Sequence, residues 1–348
     1  MEILVGFTEF PIRKVREVPL KEARRISLRF FVLLGALGAI LGLEFYEHVC
    51  ALPATDWNTR NLSRIRVKDP HDFSFAVFGD SQFSIYAFES LLREIDQDPE
   101  ISFVIALGDM VHSGSKTSYS LFLDLIQKNL HKPLVTVIGN HELKGGGYPL
   151  YTRIFGRPYY SFRIGRTCFL ILDDAASKLN LKERSWLEGE LRKSRDLCDH
   201  RLVFLHIPLY DPRPHEYHCL PEKEAKFLSR VFRDYGVSHV FAGHIHGYFH
   251  GNWNGLPYTI SGGAGARLYG GDPRHFFYHY LKVKLVNGVL DVEVKPIFVP
   301  GPKWFDHTLS FVYTYLFDPH WLEAALWMIV LGLIFPLIWK KFRKGPGK

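Results

Sequence analysis

No CxxC pair occurs among the four cysteines, Cys50, Cys168, Cys198 and Cys219, so a zinc ribbon has no ligands here. No Gly-x-Ser-x-Gly is present, and no Cys/His pairing suggests covalent catalysis. Internal repeats and low-complexity tracts are lacking, which excludes solenoids and arrays. The middle of the chain also lacks an excess of positive charge. The formal balance of +7 comes from the ends: residues 1–29 carry seven Lys/Arg against four Glu, and residues 340–348 carry five Lys/Arg and no acid. A near-neutral middle is not a nucleic-acid-binding surface, and no nucleic acid is expected as partner. A hydrophobic content of 47% excludes a disordered chain. Free thiols are expected rather than disulfides; Cys168 reads as a packed core thiol, and a Cys198–Cys219 bridge is the pairing open in an oxidising compartment.

Two apolar segments bracket the chain. Residues 30–43 read as an uncleaved transmembrane anchor, because Glu44-Phe45-Tyr46-Glu47-His48 offers no small-x-small cleavage site. Residues 321–339 read as a second span, with Trp321, Trp327 and Trp339 suited to interfacial depths. Basic tails at 1–29 and 340–348 place both ends in the cytoplasm and the intervening chain on the far side of the lipid bilayer, the periplasm in a bacterium. Between the anchors, 44–71 reads as a connector, 72–300 as the main folded domain and 301–320 as a juxtamembrane segment.

Within 72–300, short β-branched runs alternate with helical spacing. Strands are expected at 73–78, 101–107, 133–138, 159–163, 167–172, 201–205 and 237–242, and helices at 85–96, 117–130, 181–194 and 221–235. Asn180 is the expected N-cap of the third helix. From 248 to 297 only short strands between turns are expected. The alternation implies parallel strands and a mixed α/β sandwich with helices outside.

Five of these strands end in residues that carry chemistry: Gly79-Asp80-Ser81-Gln82, Gly108-Asp109, Gly139-Asn140-His141-Glu142, His206 and Gly243-His244-Ile245-His246. In open α/β sheets, chemistry gathers at strand ends. Two carboxylates, two amides and four histidines form a ligand inventory for two divalent cations, and mixed N/O donors suit manganese, iron or zinc.

In this order the motifs resemble those of the calcineurin-like metallophosphoesterases, over about residues 72–265. Four of the family's five motifs match; Gln82 stands where the family usually has His. The resemblance implies a four-layer α-β-β-α double sandwich, here with a transmembrane helix at each end. It further implies that Asp109 bridges two metals. Asp80, Gln82 and His246 would complete one site, and Asn140, His206 and His244 the other. His141 would bind no metal and would protonate the leaving alkoxide. Water activated by the metals would attack a phosphoester, and anchoring hints at a lipid-linked or cell-envelope phosphate; a soluble phosphomonoester or nucleotide is the alternative, and a catalytically weak metal-binding sensor or scaffold is the alternative of another class. His112 and Arg267 are the candidate substrate contacts, although His112 also has the position to orient His141 and reads equally as a loop histidine, and Arg267 also reads as solvated surface charge. Gly262-Gly263-Ala264-Gly265 resembles a phosphate cradle but opens no helix, so no P-loop is implied.

Overall fold

The computed structural model describes residues 31–40, 42, 52–82, 84–299, 306–309 and 325–335. They fall into two compact units, one containing both termini and the other running Ala51–Asp318.

The larger unit is built on two sheets. The first has the order β11-β10-β1-β2-β3, with β1 at Phe73–Phe78, β2 at Ile101–Ala106, β3 at Leu134–Thr136, β10 at His279–Val286 and β11 at Val289–Pro296. Strands β1, β2 and β3 are parallel, and the β10–β11 hairpin adds to β1 antiparallel. The second has the order β4-β5-β6-β7-β9-β8: β4 Tyr160–Ile164, β5 Thr167–Ile171, β6 His200–Phe204, β7 His239–Ala242, β8 Tyr248–Trp253 and β9 Leu256–Ser261. Strands β5, β6, β7 and β9 run parallel, while β4 and β8 close the two edges antiparallel.

The period-two alternation of each strand decides which core it feeds. Phe73, Phe75 and Val77 join Phe103, Ile105, Phe169, Phe204 and Phe241 in the layer between the sheets. Ala76, Phe78, Val104 and Ala106 face the other way, against helices α2 (Tyr86–Gln97) and α3 (Lys116–Asn129). Leu170, Val203 and Val240 face α6 (Leu181–Leu197) and α7 (Glu222–Asp234). The result is helix, sheet, sheet, helix. Stacked rings fill the middle, with Phe75 on Phe103 at 5.0 Å and Phe204 on Phe241 at 5.0 Å between centroids. Asn180 does cap α6, its side-chain oxygen accepting from Glu183 N at 3.0 Å.

The segment read as a polar connector contains helix α1 (Trp57–Arg64). It has no apolar stripe to betray it, because its buried face is amide. Asn58 Oδ1 accepts from Thr136 N at 2.9 Å, Asn61 Oδ1 accepts from Leu134 N at 3.2 Å, and Trp57 Nε1 donates to Leu134 O at 2.9 Å. The open edge of β3 is thereby paired. Two further helices, α4 (Asn140–Leu143) and α5 (Tyr148–Phe155), follow β3. Asp306, on the short helical run 306–309, accepts from Ile85 N at 2.8 Å, Tyr86 N at 3.0 Å and Ala87 N at 3.2 Å, and so caps α2.

Cys168 on β5 and Cys198 after α6 form a disulfide, with Cα atoms 5.8 Å apart. This corrects both cysteine expectations: Cys168 is not a thiol, and Cys198 does not pair with Cys219. The C-terminal end of α6 lies over β5, within reach of Cys168, whereas Cys219 sits half-buried in the loop after β6 with its thiol free.

In the unit that holds the termini, helical residues 31–40 and 325–335 pack through Ala36, Ile40 and Val330. Their outer faces are apolar too: Leu34, Met328 and Leu331 are exposed. Among the described residues no helix is long and apolar enough to cross a membrane, so the expected transmembrane helix at each end is not borne out by them. Runs of ten and eleven residues rise only ~15 Å, half a bilayer core. The remainder of both expected spans, at 30, 41, 43, 321–324 and 336–339, lies outside the described residues, as do both basic tails.

One buried acid carries a pH signature. Glu183 is fully buried; Oε1 accepts from Asp173 N at 2.7 Å, and Oε2 has no hydrogen-bond partner among the described residues. Burial pushes its carboxyl up to about 9, so it is protonated in the folded protein at neutral pH. The unfolded chain ionises it near its ordinary value, so between that value and about 9 the folded state binds the extra proton and stability falls as pH rises. Glu183→Gln, an amide that cannot ionise, is expected to flatten this slope by about 1 kcal/mol per pH unit. Thermal melts of both proteins from pH 5 to 9 check it; parallel curves would mean that Glu183 does not hold a proton.

Candidate metal centre

The strand-end residues converge on one spot. Asp80 follows β1, Asp109 follows β2, Asn140 and His141 follow β3, His206 follows β6, and His244 and His246 follow β7. Three of them hold backbones that side chains rarely adopt: φ is 63° at Asp80, 49° at Asp109 and 67° at His244. Such conformations persist only where surrounding bonds over-determine them. Here Glu142 does this for Asp109. Its buried carboxylate accepts from Asp109 N at 2.9 Å, Met110 N at 2.8 Å, Val111 N at 3.2 Å and Gly139 N at 2.6 Å. Asp80 Oδ2 in turn accepts from His244 N at 2.9 Å. Gly139 is extended rather than left-handed, so its glycine is required for room: a Cβ there would collide with Asp109 N and Oδ1.

Asp109 lies at the middle. Its Oδ1 is 3.3 Å from His206 Nε2, and its Oδ2 is 3.5 Å from Gln82 Nε2 and 3.8 Å from His141 Nε2. On one side, His246 Nε2 comes within 3.5 Å of Asp80 Oδ1 and 3.4 Å of Gln82 Nε2. On the other, His206 Nε2 is 3.0 Å from Asn140 Oδ1 and 3.3 Å from His244 Nδ1. These are two ligand groups sharing one carboxylate. Backbone carbonyls fix the ring nitrogens: His206 Nδ1 donates to Leu107 O at 2.8 Å and His246 Nδ1 to Arg267 O at 2.7 Å, which turns each Nε2 inward.

The group fits divalent cations on three observations. Donor atoms of Asp109, His206 and His244 all lie within 4.8 Å of one another. Asp80 Oδ1 and Gln82 Oε1 are buried and take no hydrogen bond among the described residues. Burial would lower His206, yet Asp109 and Asp80 pull it up to about 10, so a proton takes the place of positive charge. Burial would raise Asp109, but His206 and His141 hold it well below the carboxylate range. Burial and the His206 charge push His244 down to about 3, leaving it a neutral donor.

His141 sits at the rim. Its Nδ1 donates to His112 O at 2.9 Å, and Lys144 Nζ lies 2.7 Å from its Nε2. Of the two candidate substrate contacts, His112 therefore contributes a carbonyl that orients His141, and Arg267 a carbonyl that orients His246; neither side chain lines the cavity over the metal centre. That cavity, about 450 Å³, is walled beyond the ligands by Arg213, Glu216, His218, Tyr269 and Phe276. Tyr269 stacks on His246 at 5.3 Å, and Asp211 holds Arg213 through Nη2 at 2.8 Å. The loop 211–218 follows His206, a position that signals proximity but not which side chains turn inward. Gly262-Gly263 is no phosphate cradle: its glycines make room for Ile245 O and the His279 ring. Asp174 was not singled out from sequence. Its carboxylate accepts from His206 N and Ile207 N, both at 2.8 Å, and its place at the end of β5 was the available signal.

The model of the calcineurin-like phosphoesterases matches residues 73–248, half of the chain. The chain belongs to the calcineurin-like phosphoesterase family. It thus carries the domain of a metal-dependent phosphoric ester hydrolase, of a family that binds two divalent metals. It is 30% identical over 214 residues to the human serine/threonine-protein phosphatase CPPED1, matching 55% of this chain and 66% of that one. The zebrafish (Danio rerio) protein of that name is 32% identical over 198 residues, 51% of this chain and 63% of the relative. In both cases the match spans just under two thirds of the relative's length. Among solved structures, a purple acid phosphatase from yellow lupin superposes with TM-score 0.52 at 18% identity, covering 66% of this chain and 53% of that one. A dimetal phosphatase from Danio rerio superposes with TM-score 0.51 at 15% identity, covering 66% and 97%. At those identities the likeness is one of fold. The phosphoesterase fold extends past the matched span, since β9, β10 and β11 complete the two sheets.

Proposed function

We propose that the protein is a two-metal phosphomonoesterase, anchored in a membrane by its terminal apolar segments and working on the extracytoplasmic side. The observation that carries the catalytic reading is the shared carboxylate Asp109 between two sets of inward-facing donors. Asp80, Gln82, Asp109 and His246 would hold one ion, and Asp109, Asn140, His206 and His244 the other; manganese, iron or zinc suits these donors. Bound there, the ions would supply Lewis-acid polarisation of a phosphoryl oxygen and a water acidified towards neutrality.

The chain's own residues do the rest. Arg213, which lines the cavity while tied to Asp211, offers a charged donor to a phosphate oxygen. His141, its Nδ1 committed to the His112 carbonyl, keeps Nε2 as the atom that carries a proton to the departing oxygen. Burial lowers its basicity and Asp109 restores part of it. Lys144 Nζ beside that nitrogen is positioned to return the proton. Tyr269 and Phe276 wall the cavity with rings.

A phosphorylated polypeptide is the substrate class we favour, on the name and 30% identity of the human relative. A lipid-linked phosphate is the rival that anchoring raises. Anchoring is supported by helices that are apolar on both their packed and their outer faces, and by the basic tails beside the apolar segments. The Cys168–Cys198 disulfide supports an oxidising compartment.

Two measurements test the proposal. Protein stripped by chelator is expected to lose turnover of an aryl phosphomonoester and to recover it with Mn²⁺ at two ions per chain. Full loading without turnover of aryl, phosphopeptide or lipid phosphates would make it a binding protein. For topology, R60C is introduced at an exposed position, with Cys50 and Cys219 replaced by Ser. An impermeant maleimide should label it in intact cells. Protection until the membrane is opened would place the domain inside.

A further inference from the structure

A second concavity, of about 610 Å³, opens between α7, Arg184 near the start of α6, Tyr210, and Asn254 at the β8–β9 turn. Five of its lining side chains are cations, Arg184, Lys223, Lys226, Arg230 and Arg233, and among the described residues no Asp or Glu lines it. Spacing of three, four and three places Lys223, Lys226, Arg230 and Arg233 along one face of α7. The opposite face buries Ala225, Leu228 and Phe232 in the core. Some of these charges are already satisfied. Arg184 pairs with Glu224, Lys226 Nζ lies 2.5 Å from Glu222, and Arg233 Nη1 donates to Asn254 O at 3.3 Å. Lys223 and Arg230 have no ion pair among the described residues, and both are exposed. The Arg184 guanidinium lies 4.5 Å over the Phe227 ring, which makes part of the lining apolar.

This groove is joined to the catalytic cavity by one loop. Tyr210 lines the groove and is pinned by an edge contact with the Trp253 ring at 5.9 Å. Arg213, three residues on, lines the catalytic cavity and is pinned by Asp211. Three residues span at most ~10 Å of chain. An extended polypeptide leaving the cavity over this loop reaches the cations of α7 within a few residues.

We propose that the groove docks an acidic segment of a phosphorylated polypeptide substrate, with Lys223 and Arg230 as the contacts, while the phosphoryl group occupies the metal cleft. The proposal rests on the phosphoesterase reading. A concavity with charges in a row along one helix fits a narrow polyanionic strand; a flat bilayer surface would meet its rim and leave its floor unfilled. Like-signed charges lining one depression also raise the local concentration of an anion.

The test uses the full chain, metal-loaded, and two phosphoserine peptides that differ only in a flanking run of Glu or of Gln. The Glu peptide is expected to show a KM about tenfold lower, an advantage that added salt erodes. Lys223→Glu with Arg230→Glu should remove the advantage while turnover of a small aryl phosphate stays at the wild-type rate. Lys223→Gln with Arg230→Gln should do so in part, and melting curves report whether either pair disturbs the fold. Fluorescence anisotropy with an unphosphorylated Glu peptide reads the groove without hydrolysis. If the loaded protein fails to cleave the aryl phosphate, the phosphoesterase reading falls, and anisotropy still judges the groove. Equal KM values for the two peptides would overturn the proposal, as would a preference that survives both double variants. Binding of phosphatidylserine vesicles that the double variants abolish, with no peptide binding, would overturn it in favour of a membrane contact.

Discussion

Asp109→Asn is expected to reduce turnover by ~10³-fold or more and to bring metal content below two ions per chain. The argument rests on charge and not on shape. Asp109 stands between the ligand groups, facing His206 with one oxygen and Gln82 with the other. An amide of the same size keeps the hydrogen bond from His141 N to Oδ1, so the loop can stay in place. What the amide cannot do is neutralise two cations. Glu142 continues to hold the backbone amides of 109, 110 and 111, so circular dichroism and melting should change little. Elemental analysis of the purified variant decides the matter. Two retained ions with near-wild-type turnover would show that Asp109 is not shared between two sites.

The second large effect is expected at His141. Its backbone N donates to Asp109 Oδ1 at 2.8 Å and its ring donates to the His112 carbonyl, so the imidazole is held from both ends. Losing a positioned general acid costs ~10²–10⁴ in rate. His141→Ala should show that full loss with alkyl phosphates, whose alkoxide needs a proton to depart. With an activated aryl phosphate the phenolate leaves unprotonated, and the defect should shrink. Metal content should stay near two per chain, because no donor in either group is removed. A kcat series across leaving groups, with metal analysis alongside, gives the answer. An equal defect across the series would remove His141 from proton transfer, and a matching loss of metal would make it a ligand.

How much of this was legible beforehand depended on where each residue gets its partner. The strand-end donors were readable because the same local grammar recurs: an apolar run, a glycine, then a ligand. Within each sheet their alignment follows from parallel pairing, since such ends point the same way; the meeting of the two sheets' ends comes from the packing of one sheet on the other. Helix α1 was not readable, because Asn58 and Asn61 are buried through side-chain hydrogen bonds to a strand edge 70 or more residues away. No apolar period marks such a helix. Asp174 and Glu142 work on backbone amides, which leave no trace in side-chain pattern. The cysteine pairing required knowing that α6 ends over β5. His112 and Arg267 lie near the site as expected, but through their carbonyls, which any residue type could supply.

The clasps at Trp57–Arg64 and at Asp306 determine where this chain can be shortened. Both lie outside the family's matched span, and both supply acceptors that the domain does not carry within residues 72–300. A piece trimmed to 72–300 would strip the Asn acceptors from Leu134 and Thr136, leaving β3 as a bare strand edge open to other chains. It would also strip the Asp306 acceptor from Ile85 N and Tyr86 N at the start of α2, a few residues from Gln82 in the metal centre. A protease that removes Asp306 would therefore act on the catalyst. A fragment that keeps full activity is expected to need boundaries before Trp57 and beyond Asp306.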